Sequence, residues 1–426
     1  MLKSFAQEQI RLVKEEQQVN VENSHKLLAG SVGELQRLGH ALVNLTVSAV
    51  RAGLGSKTNM SFSNSITGLD LAQNNFKLGD VVAVEEHGKA AHGQTPASTG
   101  IVSAVGDKQI SVDVKMDVPE YRLFRLIKLA NSVSYERIIE SLTKLSDTIE
   151  PYSDLYSVLL GMKEPTFIDE PVEILDVELN PSQRAACVHA VSANQIALIH
   201  GPPGTGKTHT SIEIIRQAVA RNQKVLVCAP SNIAVDNIAE RLMAYKIRAV
   251  RIGHSSRMVN AVAPCSLDYQ LKYSDNGLIL NDARAALDGT LKKMLCAKKR
   301  EKRELHIEMK ELRKEVRLRQ TNVLAGILRN AEVVLATLNT AASKMLKQTH
   351  FDLVIIDEVS QALEAECWIA IQKARRCVLV GDPLQLAPTV MKQNSSLSVT
   401  MFYRLNKRYP QLTRLLDTQY RMVLDN

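Results

Sequence analysis

The chain has 426 residues, of which 45% are apolar and 23% charged, and its formal net charge is +8. That length and apolar share support roughly two to four domains with real cores, and the basic balance suits a polyanionic partner such as nucleic acid. No apolar run is long enough to span a bilayer, and the acids within Met1–Gln18 argue against a secretory signal or an organelle transit peptide.

Residues 2 to 28 read as a polar helix with a thin stripe of Phe5, Ile10, Leu12 and Val19, making residues 1–35 an N-terminal helical segment. From Ala41 the pattern changes to short β-rich runs: Leu42–Val47, Asn59–Phe62, Val81–Val84, Ile101–Val105 and Ile110–Val114. Turn clusters such as Gly79-Asp80 and Gly106-Asp107 separate them, and this spacing predicts a small β-barrel over 36–118. Tyr121 to Ile149 returns to helical spacing through Leu126, Leu129, Val133, Ile138 and Leu142. With the Pro-, Asp- and Glu-rich stretch Pro165–Glu178 it is expected to form stalk helices and a linker over 119–178.

From Asn180 strands and helices alternate. Val225–Ala229, Ala249–Ile252, Val333–Thr337, Leu353–Ile356 and Cys377–Val380 are apolar without alternation, as strands buried on both faces are. The predicted fold class is therefore α/β, a parallel helix-covered sheet built from 179–258 and 332–426. Residues 259–331 interrupt it as a helical insertion. Within it Lys292–Arg319 is dense in charge, with Leu305, Met309, Leu312 and Val316 at heptad-like spacing. A stalk packed on another helix is the expectation; a basic rail for nucleic acid is the alternative. The six cysteines include no C-x-x-C pair; Cys187, Cys228 and Cys377 lie in apolar segments, so small core residues in a reducing compartment are expected, without structural zinc.

Gly201-Pro202-Pro203-Gly204-Thr205-Gly206-Lys207-Thr208 fits the phosphate-binding loop G-x-x-x-x-G-K-[ST]. It follows the apolar run Gln195–His200 and precedes a helical pattern with Ile212, Ile215 and Val219. The small loop residues let backbone N–H groups point at a polyphosphate at a helix N-terminus. Lys207 would reach the β/γ-phosphates, and Thr208 would hold Mg²⁺. The aliphatic run Leu353–Ile356 ends in Asp357-Glu358, which suits a Mg²⁺ partner followed by a residue that orients or deprotonates water; the plainer reading is a surface acid pair. A second such run, Cys377–Val380, ends in Gly381-Asp382-Pro383-Leu384-Gln385-Leu386. There Gln385 either contacts a γ-phosphate or belongs to an ordinary polar loop. Ser231 and Asn232 follow Val225–Ala229, and are either helix caps or receivers of a nucleic-acid phosphate.

Taken with Asn180-Pro181-Ser182-Gln183, Ala229–Asp236, Asp357-Glu358-Val359-Ser360-Gln361 and Gln419-Tyr420-Arg421-Met422, the order of motifs resembles superfamily-one helicases. The similarity is to the group holding the nonsense-mediated-decay helicase, senataxin and, nearest in pattern, the immunoglobulin mu-binding protein helicases. The resemblance implies a RecA-like core, ATP and Mg²⁺, and 5′-to-3′ movement on single-stranded DNA or RNA by a monomer. It further implies nuclear or cytoplasmic residence, with ribosome, replication or RNA-processing complexes as partners. By position, Gln183 would read the adenine edge and Tyr420 would stack on the base. Gln385 would contact the γ-phosphate, Arg421 would add positive charge to the transferring group, and Ser231, Asn232 and Thr337 would touch the nucleic-acid backbone. Two departures are Val359 in the second motif and Ala387 where proline is usual. The sequence stops at Asn426, five residues after Arg421, so a second RecA-like domain is expected to be absent. The alternative function is an ATP- and nucleic-acid-binding module that does not unwind. A GTPase is disfavoured because no Asn-Lys-x-Asp occurs.

Overall fold

The alternating runs fold as six antiparallel strands: β1 Ala41–Ala52, β2 Thr58–Asn64, β3 Val81–Glu86, β4 Ser98–Val105, β5 Gln109–Val114 and β6 Phe124–Lys128. They close into a barrel in the order β1-β2-β5-β4-β3-β6. The computed structural model describes residues 1–28, 31–52, 58–66, 70–86, 98–114, 123–129, 133–150, 152–253, 258–296 and 301–420. Inward-facing Leu42, Met60, Phe62, Val82, Val112 and Phe124 fill the barrel, as the two-residue period of a strand requires. Phe62 and Phe124 meet edge to face with centroids 5.6 Å apart.

The sixth strand corrects the sequence reading. Leu126, Leu129 and Val133 match helical spacing, but Phe124–Lys128 pairs with both β1 and β3. The barrel therefore extends beyond residue 118, and the helix begins only at Val133. Closure satisfies two otherwise open strand edges, a gain that local periodicity does not register.

The barrel shares a compact unit, residues 20–132 and 270–326, with most of the helical insertion. There the helices Asp275–Cys296 and Glu301–Asn330 pack Leu280, Leu287 and Leu291 against Met309, Val316, Leu305 and Leu312, with Val50 of β1 joining them. The heptad stripe is thus spent on a partner helix and the barrel wall. Lys310, Glu311, Lys314, Glu315 and Arg317 stay exposed, as a solvated outer face should.

The second unit comprises residues 1–19, 133–269 and 327–426. Its sheet contains β7 Ile196–His200, β8 Val225–Ala229, β9 Ala249–Ile252, β10 Val333–Thr337, β11 Phe351–Ile356, β12 Ala374–Gly381 and β13 Thr413–Leu415. The order is β13-β7-β12-β11-β8-β10-β9, and every pairing is parallel. The chain leaves β7 through the helix Lys207–Ala220 and re-enters the sheet at β8, two strands away from β7's neighbour. β12 and β11 later fill that gap, so their tips end beside the β7 loop, the crevice where ligands of open α/β sheets bind. Cys187, Cys228 and Cys377 are buried, and burial pushes the Cys228 thiol up to about 12.

Candidate functional site at the strand tips

The loop after β7 is tied to the neighbouring strand by the Gly201 N–H, which donates to the Gly381 carbonyl at 3.1 Å. Gly204 and Gly206 adopt φ of +78° and +81°, which L side chains rarely tolerate. A Cβ on Gly201 would collide with the Lys207 stem, and one on Gly206 with the Gln183 amide. Thr205 closes the turn by donating its hydroxyl to the Pro202 carbonyl at 2.8 Å, while Pro203 lies exposed. The helix Lys207–Ala220 starts directly from Gly206 without a side-chain cap, so its first N–H groups remain available to an anion. Lys207 Nζ donates to the Gly201 carbonyl at 2.8 Å and lies 3.9 Å from Glu358 Oε1. Thr208 sits half-buried in the first turn.

Asp357 caps β11 and is buried, with its N–H donating to the Cys228 carbonyl at 2.9 Å. Burial, then the adjacent Glu358 carboxylate, push its carboxyl up to about 7; the Glu358 N–H and the Lys207 charge act against them. Glu358 is left-handed at φ +52°, a backbone state costing about 1–3 kcal/mol in a non-glycine residue and concentrated at functional sites. Its Oε2 accepts from the Gln361 amide at 3.3 Å. The donor set fits Mg²⁺, which takes one or two protein oxygens and keeps the rest for phosphate and water. A divalent charge would also favour the ionised form of buried Asp357. Among the described residues no cluster of three His, Cys, Asp or Glu suits a metal held by protein alone.

At the tip of β12, Asp382 collects three donors: His200 Nε2 at 3.1 Å, the Leu384 N–H at 3.0 Å and the Gln385 amide at 2.9 Å. Burial opposes its ionisation, but these hydrogen bonds together hold the carboxyl below its ordinary value. Gln385 is thereby moored to the tip through its Nε2.

Gln183 is buried in a capping box: its N–H donates to Asn180 Oδ1 at 2.8 Å, and its Oε1 accepts from the Asn180 N–H at 3.0 Å. Its Nε2 donates to the Thr205 carbonyl at 3.0 Å. The Tyr420 N–H donates to the Gly204 carbonyl at 2.9 Å, and Asn180 Nδ2 donates to the Tyr420 hydroxyl at 2.8 Å. The Tyr420 ring, 64% exposed, is free to stack.

The remaining predicted residues separate by local role. Ser231 and Thr337 are helix caps, accepting from the N–H groups of Ala234 and Thr340 at 3.1 and 3.3 Å. Asn232 Oδ1 accepts from Arg251 at 2.9 Å. All three lie at the C-terminal ends of β8 and β10, which pair Thr337 with Ala229. Arg421 lies outside the described residues.

Sequence reasoning missed the hub role of Asp382, the bridge from Asn180 to Tyr420, and Arg251. Arg251 is 0% exposed and donates to Asp236 Oδ1 at 2.8 Å, while Asp236 Oδ2 accepts from the Val259 N–H at 3.0 Å. Its one signal was an arginine inside the otherwise apolar run Ala249–Ile252.

A family model described as an AAA domain matches residues 178–393, which is 216 of the 426 residues. One described as the 1B domain of helicase SMUBP-2/HCS1 matches residues 6–126. DNA polymerase alpha-associated DNA helicase A of Schizosaccharomyces pombe is 37% identical over 99% of this chain and 66% of its own length. Its Saccharomyces cerevisiae namesake is 30% identical over 99% of this chain and 69% of its own. ATP-dependent helicase upf1 of S. pombe is 34% identical over 68% of this chain and 32% of its own. The chain spans only part of the length of each relative.

Proposed function

This chain belongs to the Upf1-like helicases of superfamily one, in their SMUBP-2/HCS1 branch, and on that premise we propose that it binds and hydrolyses ATP to drive movement along single-stranded nucleic acid. One observation carries the reading: Lys207 of the glycine loop comes within 3.9 Å of Glu358, which follows buried Asp357, although 150 residues separate them in sequence.

The loop amides and the start of the helix Lys207–Ala220 bind the polyphosphate. Lys207, released from the Gly201 carbonyl, neutralises the β- and γ-phosphates. Tyr420 stacks on the base. Gln183 braces the loop at Thr205, and its amide reads the adenine edge. Glu358 takes a proton from water as the water oxygen bonds to the γ-phosphorus; the bond from that phosphorus to the bridging oxygen breaks, and ADP leaves with its electron pair. Gln385, moored on Asp382, orients that water or the γ-phosphate. Mg²⁺, held by Thr208 and Asp357, would supply charge neutralisation of the phosphates. The helix starts at Ser231 and Thr337 present N–H groups to a nucleic-acid backbone, with the side chains themselves serving as caps.

Phosphate release stimulated by single-stranded DNA or RNA tests this reading; hydrolysis that survives both Lys207→Ala and Glu358→Gln would sink it. Direction, 5′ to 3′, belongs to the same proposal. Unwinding of a duplex with a 3′ overhang but not a 5′ overhang would overturn it. Nuclear or cytoplasmic residence within replication, ribosomal or RNA-processing complexes is tested by locating the tagged native protein.

A further inference from the structure

A second polar feature lies at the opposite end of the parallel sheet. A cleft of about 420 Å³ is bounded by the helix Val133–Ser146, the connection that precedes β11, and the residue that precedes β12. β11 runs from Phe351 at the cleft to Ile356, next to Asp357, so the cleft and the nucleotide loop are separated by about 20 Å at 3.3 Å per residue. Five basic side chains line it: Arg137, Lys144, Lys344, Lys347 and Lys373. Glu140 is its one carboxylate.

That single acid is already committed. Glu140 Oε1 accepts from Lys144 Nζ at 2.7 Å. This bond, first, and the Lys144 charge hold its carboxyl below the ordinary value against a smaller effect of burial, and Lys347 and Lys344 add to it. Lys373 donates to the Leu346 carbonyl at 2.9 Å. Burial, then the repulsion of Lys144, lower its pKa. Like charges are therefore held together with too little negative charge to balance them, an arrangement that an incoming anion relieves. The cations do not converge on one point. Arg137 and Lys144 are seven residues apart on one helix, or about 10 Å, so they suit several phosphates in a row and not one.

We propose that this cleft seats the phosphate backbone of a nucleic-acid strand, a second contact remote from the ATP site. The proposal rests on the reading of the chain as a nucleic-acid motor and adds a partner surface to it. Lys144, Lys344 and Lys347 are exposed, so changing them should leave the fold intact.

The test compares the unaltered chain with a Lys144→Gln/Lys344→Gln/Lys347→Gln variant, measuring anisotropy of a labelled single-stranded oligonucleotide across a salt series. The slope of log affinity against log salt should fall by about 2, at about 0.7 per lost phosphate contact. Thermal melting and binding of a fluorescent Mg·ATP analogue should not change. An unchanged slope in a folded variant overturns the proposal. So does a variant that loses inositol hexakisphosphate but keeps the oligonucleotide, because the cleft then serves a compact polyphosphate. Failure of the analogue to bind either protein would break the motor reading, yet the slope would still decide the cleft.

Discussion

In the barrel, alternate residues of each strand turn inward to an apolar core, while polar side chains meet along the strands: the Asn59 amide of β2 donates to Asp113 of the adjacent β5 at 2.7 Å and to Ser103 of β4 beyond it at 2.8 Å. In the parallel sheet, every residue of β8 and β10 is buried, and the reactive groups are gathered where the strands stop. An antiparallel wall with one wet face spreads its polar groups along its length. A sheet covered on both faces has only its ends left for chemistry. The contrast makes the barrel a packed wall, and the other unit a frame for loops.

The sharpest way to break this contrast is at a strand tip. Glu358→Gln should lower phosphate release about 10²- to 10⁴-fold, the range for a lost general base, while a fluorescent ATP analogue still binds. A loss of binding equal to the loss of rate would reassign Glu358 to holding the nucleotide. Next, Asp236→Ala strands the Arg251 charge, which is 0% exposed, and should cost about 3–5 kcal/mol in a denaturant titration. Little change would mean that the guanidinium finds water.

In the barrel, Phe124→Ala should cost about 3–5 kcal/mol as a large-to-small core change and leave analogue binding unaltered. A loss of nucleotide affinity would show that the two units are not energetically independent. Removing the Ser231 cap by Ser231→Ala should cost about 1 kcal/mol. If the side chain itself grips the backbone phosphate, oligonucleotide affinity should fall far more than stability. The smallest effect is expected at Gly326, where an added Cβ meets nothing within 4 Å. Gly326→Ala in its helix should raise stability by about 0.4–1 kcal/mol, whereas Gly206→Ala, at φ +81° and against Gln183, should abolish nucleotide binding.

Much of this was written locally. The glycine loop, the aliphatic runs that became β8, β10, β11 and β12, the acids that close β11, and the heptad stripe from Leu305 to Val316 are short-range patterns. Their physical causes — a small residue where φ is positive, an apolar residue where both faces are covered — act within a few residues. Closure was not legible. Phe124–Lys128 looks helical until β1 and β3 supply its hydrogen bonds, and Thr413–Leu415 is a strand only because β7 lies beside it. The same holds for the groups that complete the site. Asn180 meets Tyr420 across 240 residues, His200 meets Asp382 across 182, and Arg251 meets Asp236 across 15. Propensity and periodicity describe one segment at a time; which two segments share a hydrogen bond is settled by the strand order and by the need to pair every buried polar group, and these exist only once the chain has folded.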